Sequence, residues 1–280
     1  MKIALVTDSS CDLDPLTVRD HNIEVIPLRI IYKDNEYKDG CDITATEVYN
    51  RLNVEIPTTS MPSPKDVLNK FQELRANGYT HILAITLSSG LSGTYNMFKL
   101  MSEEISDVVI DVIDSKTLSM VLGFIVMEAS KLIKNNTPYV DIIDKINTIK
   151  SKAKGFYVLD TLEYLRKGGR IGLVASTIGT LLNIKPIIST NEEGKYYILG
   201  KTRGKAQAAA KMLEILLAQL ENTKTNVAVL QGMAEREAGV LFEKIQSLKN
   251  VNSLCISAIS PTLVVHTGPG LIGLAYCPVE

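Results

Sequence analysis

Hydroxyl side chains and glycines collect in one short stretch, TLSSGLSGTYN, from Thr86 to Asn96. The stretch follows the apolar run HILAI and precedes residues whose apolar side chains recur at helical spacing, which predicts a strand-to-helix loop. Gly90 and Gly93 are expected to adopt positive φ and to let the backbone approach a ligand. Hydroxyls beside a helix N-terminus favour negative charge, so the loop is predicted to hold an anion; an ordinary Ser/Gly helix cap is the alternative.

The motifs of common nucleotide-binding and hydrolytic enzymes are missing. The GLSG spacing matches neither GxxxxGK[ST] nor GxGxxG, and the loop has no Lys to reach a nucleotide phosphate. The chain has no GxSxG elbow, no HExxH pair and only three histidines. Nucleotide binding is therefore not favoured, and no complete set of catalytic residues is predicted.

Several predicted loops offer hydroxyls or potential cations, which together suit a carboxylate or a phosphate. These residues are Thr59, Ser60, Ser88, Ser89, Ser92, Thr94, Arg170 and His266. Arg170 follows a Gly-Gly turn that would present its guanidinium as a bidentate donor, whereas a surface Arg near a helix end is the alternative. His266 could be a general base, a covalent phosphoryl carrier, a hydrogen-bond donor or simply a satisfied buried histidine.

Two charged groups elsewhere in the sequence have both a functional and a structural interpretation. Asp8 and Asp12 in TDSSCDL could bind magnesium, although two carboxylates in a turn more often cap a helix. Lys201, Arg203 and Lys205 in GKTRGK form a basic patch, which is either a solvated face or a docking site for an acidic partner.

Composition narrows the class of protein. The chain has 280 residues and a net charge of −1, so no broad basic surface indicates nucleic acid. Its apolar runs are too short for a signal peptide or a membrane span, which predicts a cytoplasmic protein. The four cysteines are far apart without a CxxC pair, so neither a zinc site nor a disulfide framework is indicated.

Strand and helix patterns alternate along the whole chain, which predicts an α/β fold. Thr44 and Glu47 form a capping box, and Ser63 before Pro64 marks another helix start. We place a domain boundary after residue 153, which gives domains 1–153 and 154–280. Near the C-terminus, Gly268 to Gly270 are predicted to turn the chain sharply between two apolar strands.

Seven segments occur in the order seen in the DegV family, which the chain resembles over essentially its whole length. They are TDSSCDL, TTSMPSP, SSGLSGTYN, DSKTLSMVLG, LEYLRKGGRIG, KPI with GKTRGK, and HTGPGLIG. The resemblance implies a mainly parallel sheet flanked by helices in the N-terminal domain. It also implies a smaller, mixed-sheet α/β C-terminal domain, with one long-chain fatty acid held between the two domains.

The resemblance further implies a bacterial fatty acid-binding subunit that presents the acyl carboxylate to a separate ATP-dependent kinase. No other cofactor is implied, and membrane contact would be limited to transient lipid exchange. A stand-alone phosphotransferase that uses His266, related to dihydroxyacetone kinase, is the alternative. Met61 departs from the Gln that the family often has before Pro. The residues implied to bind the carboxylate are Thr59, Ser60, Ser92, Gly93, Arg170 and His266, and those implied to dock the kinase are Lys201, Arg203 and Lys205.

Overall fold

The structure is a computed structural model that describes residues 1–177 and 184–279. The described residues form thirteen strands and ten α-helices. The strands are β1 (Ile3–Asp8), β2 (Ile23–Ile26), β3 (Arg29–Ile31), β4 (Glu36–Lys38), β5 (Thr58–Ser60), β6 (His81–Thr86), β7 (Val109–Asp114), β8 (Lys154–Val158), β9 (Ile184–Thr190), β10 (Tyr196–Arg203), β11 (Thr225–Gly232), β12 (Val251–Ala258) and β13 (Leu271–Pro278). The helices are α1 (Pro15–Asp20), α2 (Ala45–Arg51), α3 (Pro64–Ala76), α4 (Thr94–Ser102), α5 (Ser119–Lys134), α6 (Tyr139–Lys152), α7 (Glu163–Lys167), α8 (Gly204–Leu220), α9 (Glu235–Gln246) and α10 (Pro261–Thr267).

Three sheets organise the molecule. A parallel sheet has the strand order β2-β1-β6-β7, and a mixed sheet has the order β10-β9-β8-β13-β11-β12. In the mixed sheet only the β11–β12 pair is parallel. A small antiparallel sheet, β4-β3-β5, lies apart from both. The predicted α/β fold, with one parallel and one mixed sheet, is therefore confirmed.

Helix α5 lies between the two large sheets and contacts strands of both. Its buried residues run almost continuously from Ser119 to Val126, as expected for a helix that is apolar on all sides. Helices α8 and α9 cover the opposite face of the mixed sheet with a separate core. None of the helices in the described ranges is both long and apolar enough to cross a bilayer.

Several local predictions are confirmed. Thr44 and Glu47 form the capping box of α2, and the Ser63 side chain caps α3. Strands β9 and β10 form an antiparallel hairpin. All four cysteines are free thiols.

The prediction of an apolar strand before Gly268 was wrong. Residues Pro261–Thr267 form helix α10, so His266 projects from a helix. A short apolar run is ambiguous between a buried strand and a buried helix, because both bury all of their side chains. Ser260 as N-cap and Pro261 at the first helical position are the signals that indicate the helix.

Candidate functional site

Five of the six residues expected to bind a carboxylate line one cavity, which we call the hydroxyl cavity. It contains about 430 Å³ of space that no atom fills, including the part open to solvent. Its described lining consists of Thr59, Ser60, Ser92, Arg170 and His266 with Leu28, Leu87, Leu91, Leu118, Tyr196, Thr262 and Leu263. Strand β5, the loop after β6, the turn after α7 and helix α10 therefore meet at this point, although they are far apart in sequence.

The sixth residue, Gly93, is not among the residues that line the cavity. It is the N-cap of α4, and its φ is −74°. A Cβ at Gly93 would lie 3.0 Å from the Met61 sulfur, so Met61 packs against this helix start. The residue that departs from the family pattern therefore lies beside the predicted site.

His266 and Thr59 form the closest polar pair of the site. The Nε2 atom of His266 lies 2.7 Å from the Thr59 Oγ1 atom, while its Nδ1 atom has no hydrogen-bond partner among the described residues. Burial, and secondly the nearby charge of Arg170, lowers the pKa of His266 to about 4, so the imidazole is neutral at pH 7. We assign its proton to Nε2, because an unpaired buried N–H is rarer than an unpaired acceptor. Thr59 then accepts from His266 and keeps its own proton for a ligand.

Gly168 explains how His266 is held in this position. A Cβ at Gly168 would lie 2.2 Å from His266 Nδ1, so the close approach of the imidazole requires glycine there. The Gly-Gly pair was predicted only as a helix stop. The structure gives its first glycine a second role, which is to make room for the histidine ring.

Thr262 lies one helical turn before His266 on α10, and sequence reasoning missed it. Its side chain is buried and lines the hydroxyl cavity, and its Oγ1 atom has no hydrogen-bond partner among the described residues. A buried hydroxyl without a partner costs about 1–3 kcal/mol. An acceptor bound in the cavity would remove that cost if it reached Oγ1.

Arg170 lies directly beyond the C-terminal turn of α7, as predicted. Gly169 has a φ of +70°, and the Arg170 N–H donates to the Leu165 carbonyl at 2.9 Å. The guanidinium donates to the carbonyls of Gly168 at 2.7 Å and Leu91 at 3.3 Å. Within residues 1–177 and 184–279 no carboxylate pairs with Arg170, so its positive charge is available to attract an anion at the cavity wall.

The loop after β6 differs from its prediction in one respect. Neither Gly90 nor Gly93 has a positive φ. The close backbone approach at Gly90 is to the β9–β10 hairpin, since a Cβ there would lie 2.7 Å from the Glu193 carbonyl oxygen. Ser88 donates to the Gly194 carbonyl at 2.8 Å, which fixes the loop to the hairpin.

The remaining hydroxyls of this loop divide between two tasks. Lys116 donates to the Ser89 hydroxyl at 3.2 Å, so Ser89 belongs to a charged surface contact. Ser92 lines the hydroxyl cavity, and its Oγ lies 2.9 Å from the Thr94 Oγ1 atom. Of the four loop hydroxyls, the Ser92 hydroxyl is the one that both lines the cavity and has a neighbouring hydroxyl.

A second cavity, which we call the apolar cavity, continues from the first. It contains about 460 Å³ of unfilled space, again including its open part. Leu118, Tyr196 and Leu263 line both cavities. The remaining lining is mostly apolar and consists of Thr117, Ser119, Val121, Gly155, Phe156, Tyr157, Thr190, Leu230, Ile259, Thr267 and Leu271. The two cavities are therefore adjacent and differ in polarity.

The carboxylates near the N-terminus serve as caps. Asp8 caps a short 3-10 helix, Ser9–Cys11, and also accepts from the Leu87 N–H. Asp12 accepts from the Ser119 hydroxyl at 2.5 Å and from the Ser260 N–H at 2.9 Å. Burial raises the pKa of Asp12 to about 7. These hydrogen bonds support the capping interpretation. Among the described residues there is no group of three side chains placed to hold a metal ion.

The predicted basic patch lies on the edge of the mixed sheet. Lys201 and Arg203 are exposed on β10, two residues apart. Lys205 is the second residue of α8 and pairs with Asp160 at 3.2 Å and with Glu237 at 3.9 Å. Two of the three predicted cations are therefore open to solvent, and the third is partly neutralised.

Comparisons with known proteins agree with this architecture. A family model described as "Uncharacterised protein, DegV family" matches residues 2–279. A DegV domain-containing protein of Clostridium perfringens is 45% identical over 274 residues, which is 98% of each chain. One from Clostridium acetobutylicum is 44% identical with the same coverage. The chain belongs to the DegV family.

Solved structures of the family have the same fold. A fatty acid-binding DegV family protein from Thermus thermophilus matches with a TM-score of 0.93, 28% identity and full coverage of both chains. DegV from Bacillus subtilis, a fatty acid-binding protein, matches with a TM-score of 0.93 and 26% identity over both full chains. A stearic acid-binding protein from Eubacterium ventriosum has a TM-score of 0.88 and 28% identity, with 99% of this chain and 98% of that one covered.

Proposed function

We propose that this protein binds one long-chain fatty acid, with the carboxylate in the hydroxyl cavity and the tail in the apolar cavity. The observation that carries the proposal is the adjacency of the two cavities through Leu118, Tyr196 and Leu263. An amphipathic ligand needs such a change of polarity along its length. The fatty acids bound by structurally similar DegV proteins support the same class of ligand.

The tail supplies most of the affinity in this proposal. Burial of one methylene is worth about 0.8 kcal/mol, so roughly 14 of them would contribute on the order of 11 kcal/mol before ordering costs. The head group needs hydrogen bonds instead, because an ionised carboxylate without partners is costly to bury. Thr59 and Ser92 would supply neutral donors, Arg170 a charge, and Ser60 and His266 the surrounding wall, with Gly93 beside it at the N-cap of α4.

We further propose that a separate kinase subunit phosphorylates the bound carboxylate. A carboxylate held by hydroxyls stays accessible, whereas a fully enclosed bidentate ion pair would obstruct attack on a γ-phosphate. The partner would bring ATP and Mg²⁺, so this chain would act as a cytoplasmic binding subunit and not as a complete enzyme. In this proposal the ligand lies between domains 1–153 and 154–280.

Lys201 and Arg203 are the strongest candidates for docking that kinase. Both side chains are exposed on an edge strand, and no ion pair with the described residues neutralises either of them. Exposed charges mainly accelerate and orient encounters with a partner of opposite charge. Lys205 would contribute less, because Asp160 and Glu237 already face it.

The geometry counts against the alternative phosphotransferase. A covalent phosphoryl group on His266 would need room at a ring nitrogen, but Nδ1 packs against Gly168 and Nε2 bonds to Thr59. The pKa of His266 is low mainly because the ring is buried, and this also suits a neutral histidine that only holds Thr59 in place.

Native mass spectrometry of protein purified from cells tests the proposal. We expect one bound long-chain fatty acid per chain, removable by delipidation and restored by added fatty acid. A stable mass increase of one phosphate on His266 would instead support the phosphotransferase. Protein that carries no lipid and fails to take up added fatty acid would contradict the proposal.

A further inference from the structure

A groove on the mixed sheet lies on the face covered by α8 and α9, opposite the face that contacts α5. It runs between these two helices and contains about 1050 Å³ of unfilled space, including its open side. Ile272 of β13 contributes to its lining from the sheet below. The groove shares none of its residues with the hydroxyl or apolar cavity.

The walls of the groove suit close approach by another helix. Ala206 and Ala210 of α8 are exposed, and Val240 of α9 is 50% exposed. Small side chains on a helix surface let the backbone of a second helix approach closely. Apolar side chains that are exposed together in a groove indicate an interaction surface. The lining residues span nine positions on each helix, or about 12 Å, which matches roughly two turns of a third helix.

The rim of the groove is positively charged. Its described charged residues are three cations, Lys205, Arg236 and Lys244, and one carboxylate, Glu237. Glu237 faces Lys205 at 3.9 Å, whereas Arg236 and Lys244 form no ion pair with any residue that the structure describes. An apolar channel with two unneutralised cations on one wall is complementary to an apolar helix with acidic flanks.

We infer that this groove is a docking site for an acidic amphipathic helix of a partner protein. A flat anionic bilayer fits the geometry less well, because the apolar surface is recessed between two helices. The inference does not rest on fatty acid binding, since a helix could dock whether or not the cavities hold a lipid.

The probe is a fluorescein-labelled peptide of about 18 residues, roughly five helical turns, with Leu at helical spacing and Glu on both flanks. Fluorescence anisotropy should show saturable binding to the full-length protein. The double variant Arg236→Glu with Lys244→Glu should weaken binding at least about tenfold, since two attractions become repulsions. Its control reverses the same number of exposed charges outside the groove, at Lys224→Glu with Lys249→Glu, and should bind normally.

A second pair of variants tests the apolar part without a change in charge. Val240→Ser should weaken the binding of the peptide about fivefold, because Val240 lines the groove. Leu217→Ser is its control, since Leu217 is 40% exposed on α8 but does not line the groove. If the charge-reversed variant failed to fold, as judged by its thermal midpoint, this pair would decide the question.

Four results would overturn the inference. They are the absence of saturable binding, equal binding of a matched peptide with Lys in place of every Glu, equal losses in variants and controls, and binding to phosphatidylglycerol vesicles but not to the peptide. Bound fatty acid should be unchanged in all four variants. Failure of the wild-type protein to carry or take up fatty acid would contradict the proposed function and leave the docking result intact.

Discussion

The backbone and the side chains of helix α10 differ in how completely their polar groups are hydrogen-bonded. The N–H groups of Ser260 and Thr262 donate to Asp12 at 2.9 Å and to Asp39 at 3.0 Å. Among the side chains, Ser260 Oγ, Thr262 Oγ1 and His266 Nδ1 have no hydrogen-bond partner in the described ranges. These backbone groups are thus paired within the protein, while the side chains have hydrogen-bonding capacity left over.

This difference separates structure from function within one short helix. The first N–H groups of any helix need acceptors, and the carboxylates of half-buried Asp12 and buried Asp39 supply them here. Burial nevertheless raises the pKa of Asp12 to about 7 and that of Asp39 to about 6. The backbone of α10 is therefore held by the Asp12 and Asp39 carboxylates, whose negative charge is costly in this environment. Their hydrogen bonds help to fix the position of His266 on the helix.

The largest expected effect concerns the carboxylates that accept from the backbone of α10. The folded pKa of Asp12 lies above its ordinary value of 3.8, so its contribution to stability is fully present below about pH 4 and is lost as pH rises through about 7. Relative to Asp12→Asn, the free energy of unfolding of the wild type should fall by on the order of 4 kcal/mol between pH 4 and pH 8. Urea unfolding across that range measures the difference.

Asp14→Asn is the matched control for that experiment. Hydrogen bonds from Thr17 lower the pKa of the exposed Asp14, so its contribution to stability is present above about pH 4 and is lost only as pH falls below that value. The difference in the free energy of unfolding between the wild type and Asp14→Asn should therefore stay nearly constant from pH 4 to pH 8. Parallel pH profiles for the wild type and Asp12→Asn would show that Asp12 titrates normally. The claim that folding raises the pKa of Asp12 would then be wrong.

Gly168→Ala tests the side-chain part of the comparison, because it perturbs His266. The added Cβ would clash with His266 Nδ1, so the imidazole or α10 must move. We expect a loss of up to about 3 kcal/mol in the free energy of unfolding, together with weaker fatty acid binding. Gly239→Ala is the control, because a Cβ there meets no atom within 4 Å and helix α9 should gain about 0.5–1 kcal/mol. Unchanged stability in Gly168→Ala would contradict the close approach.

Ser92→Ala tests the role of the hydroxyls that line the cavity. Loss of this donor should weaken fatty acid binding by about 2 kcal/mol if it leaves a carboxylate oxygen under-bonded in the cavity. Titration of delipidated protein with a long-chain fatty acid measures the change. Ser89→Ala provides the comparison, because the Ser89 hydroxyl contacts Lys116 and not the cavity. Equal affinities for wild type and Ser92→Ala would remove Ser92 from the site.

The smallest effect is expected at the exposed cations. Reversal of charge at Lys201 and Arg203 should slow acyl-phosphate formation with the partner kinase about tenfold and leave bound lipid unchanged. The matched control is Lys224→Glu with Lys249→Glu, which reverses two exposed charges elsewhere. Normal turnover in the first variant would exclude β10 as the docking face.

Much of the fold was predictable because its signals are local. Alternating strand and helix patterns, the capping box at Thr44 and the Pro64 helix start depend on neighbouring residues only. The loop hydroxyls and Arg170 were likewise visible as residue types beside predicted turns. Their meeting in one cavity depends on strand order, which a single sequence does not specify.

The missed features depend on contacts between distant segments. Ser88 looked like a ligand donor, but the Gly194 carbonyl occupies it. Thr262 was overlooked because its relation to His266 exists only on a helix, and the apolar run around it also suits a strand. Gly168 looked like a helix stop, since nothing in its neighbourhood reveals that a histidine almost 100 residues later packs against it.

A crystal structure of the protein loaded with a long-chain fatty acid tests the central claim most directly. We predict the carboxylate within hydrogen-bond distance of Thr59 and Ser92, and the tail past Leu118 and Leu263 in the apolar cavity. The molecule also has a larger groove, about 1830 Å³ of unfilled space, beside Asp12 and strand β12. A tail bound in that groove, with the hydroxyl cavity free of lipid, would contradict the account.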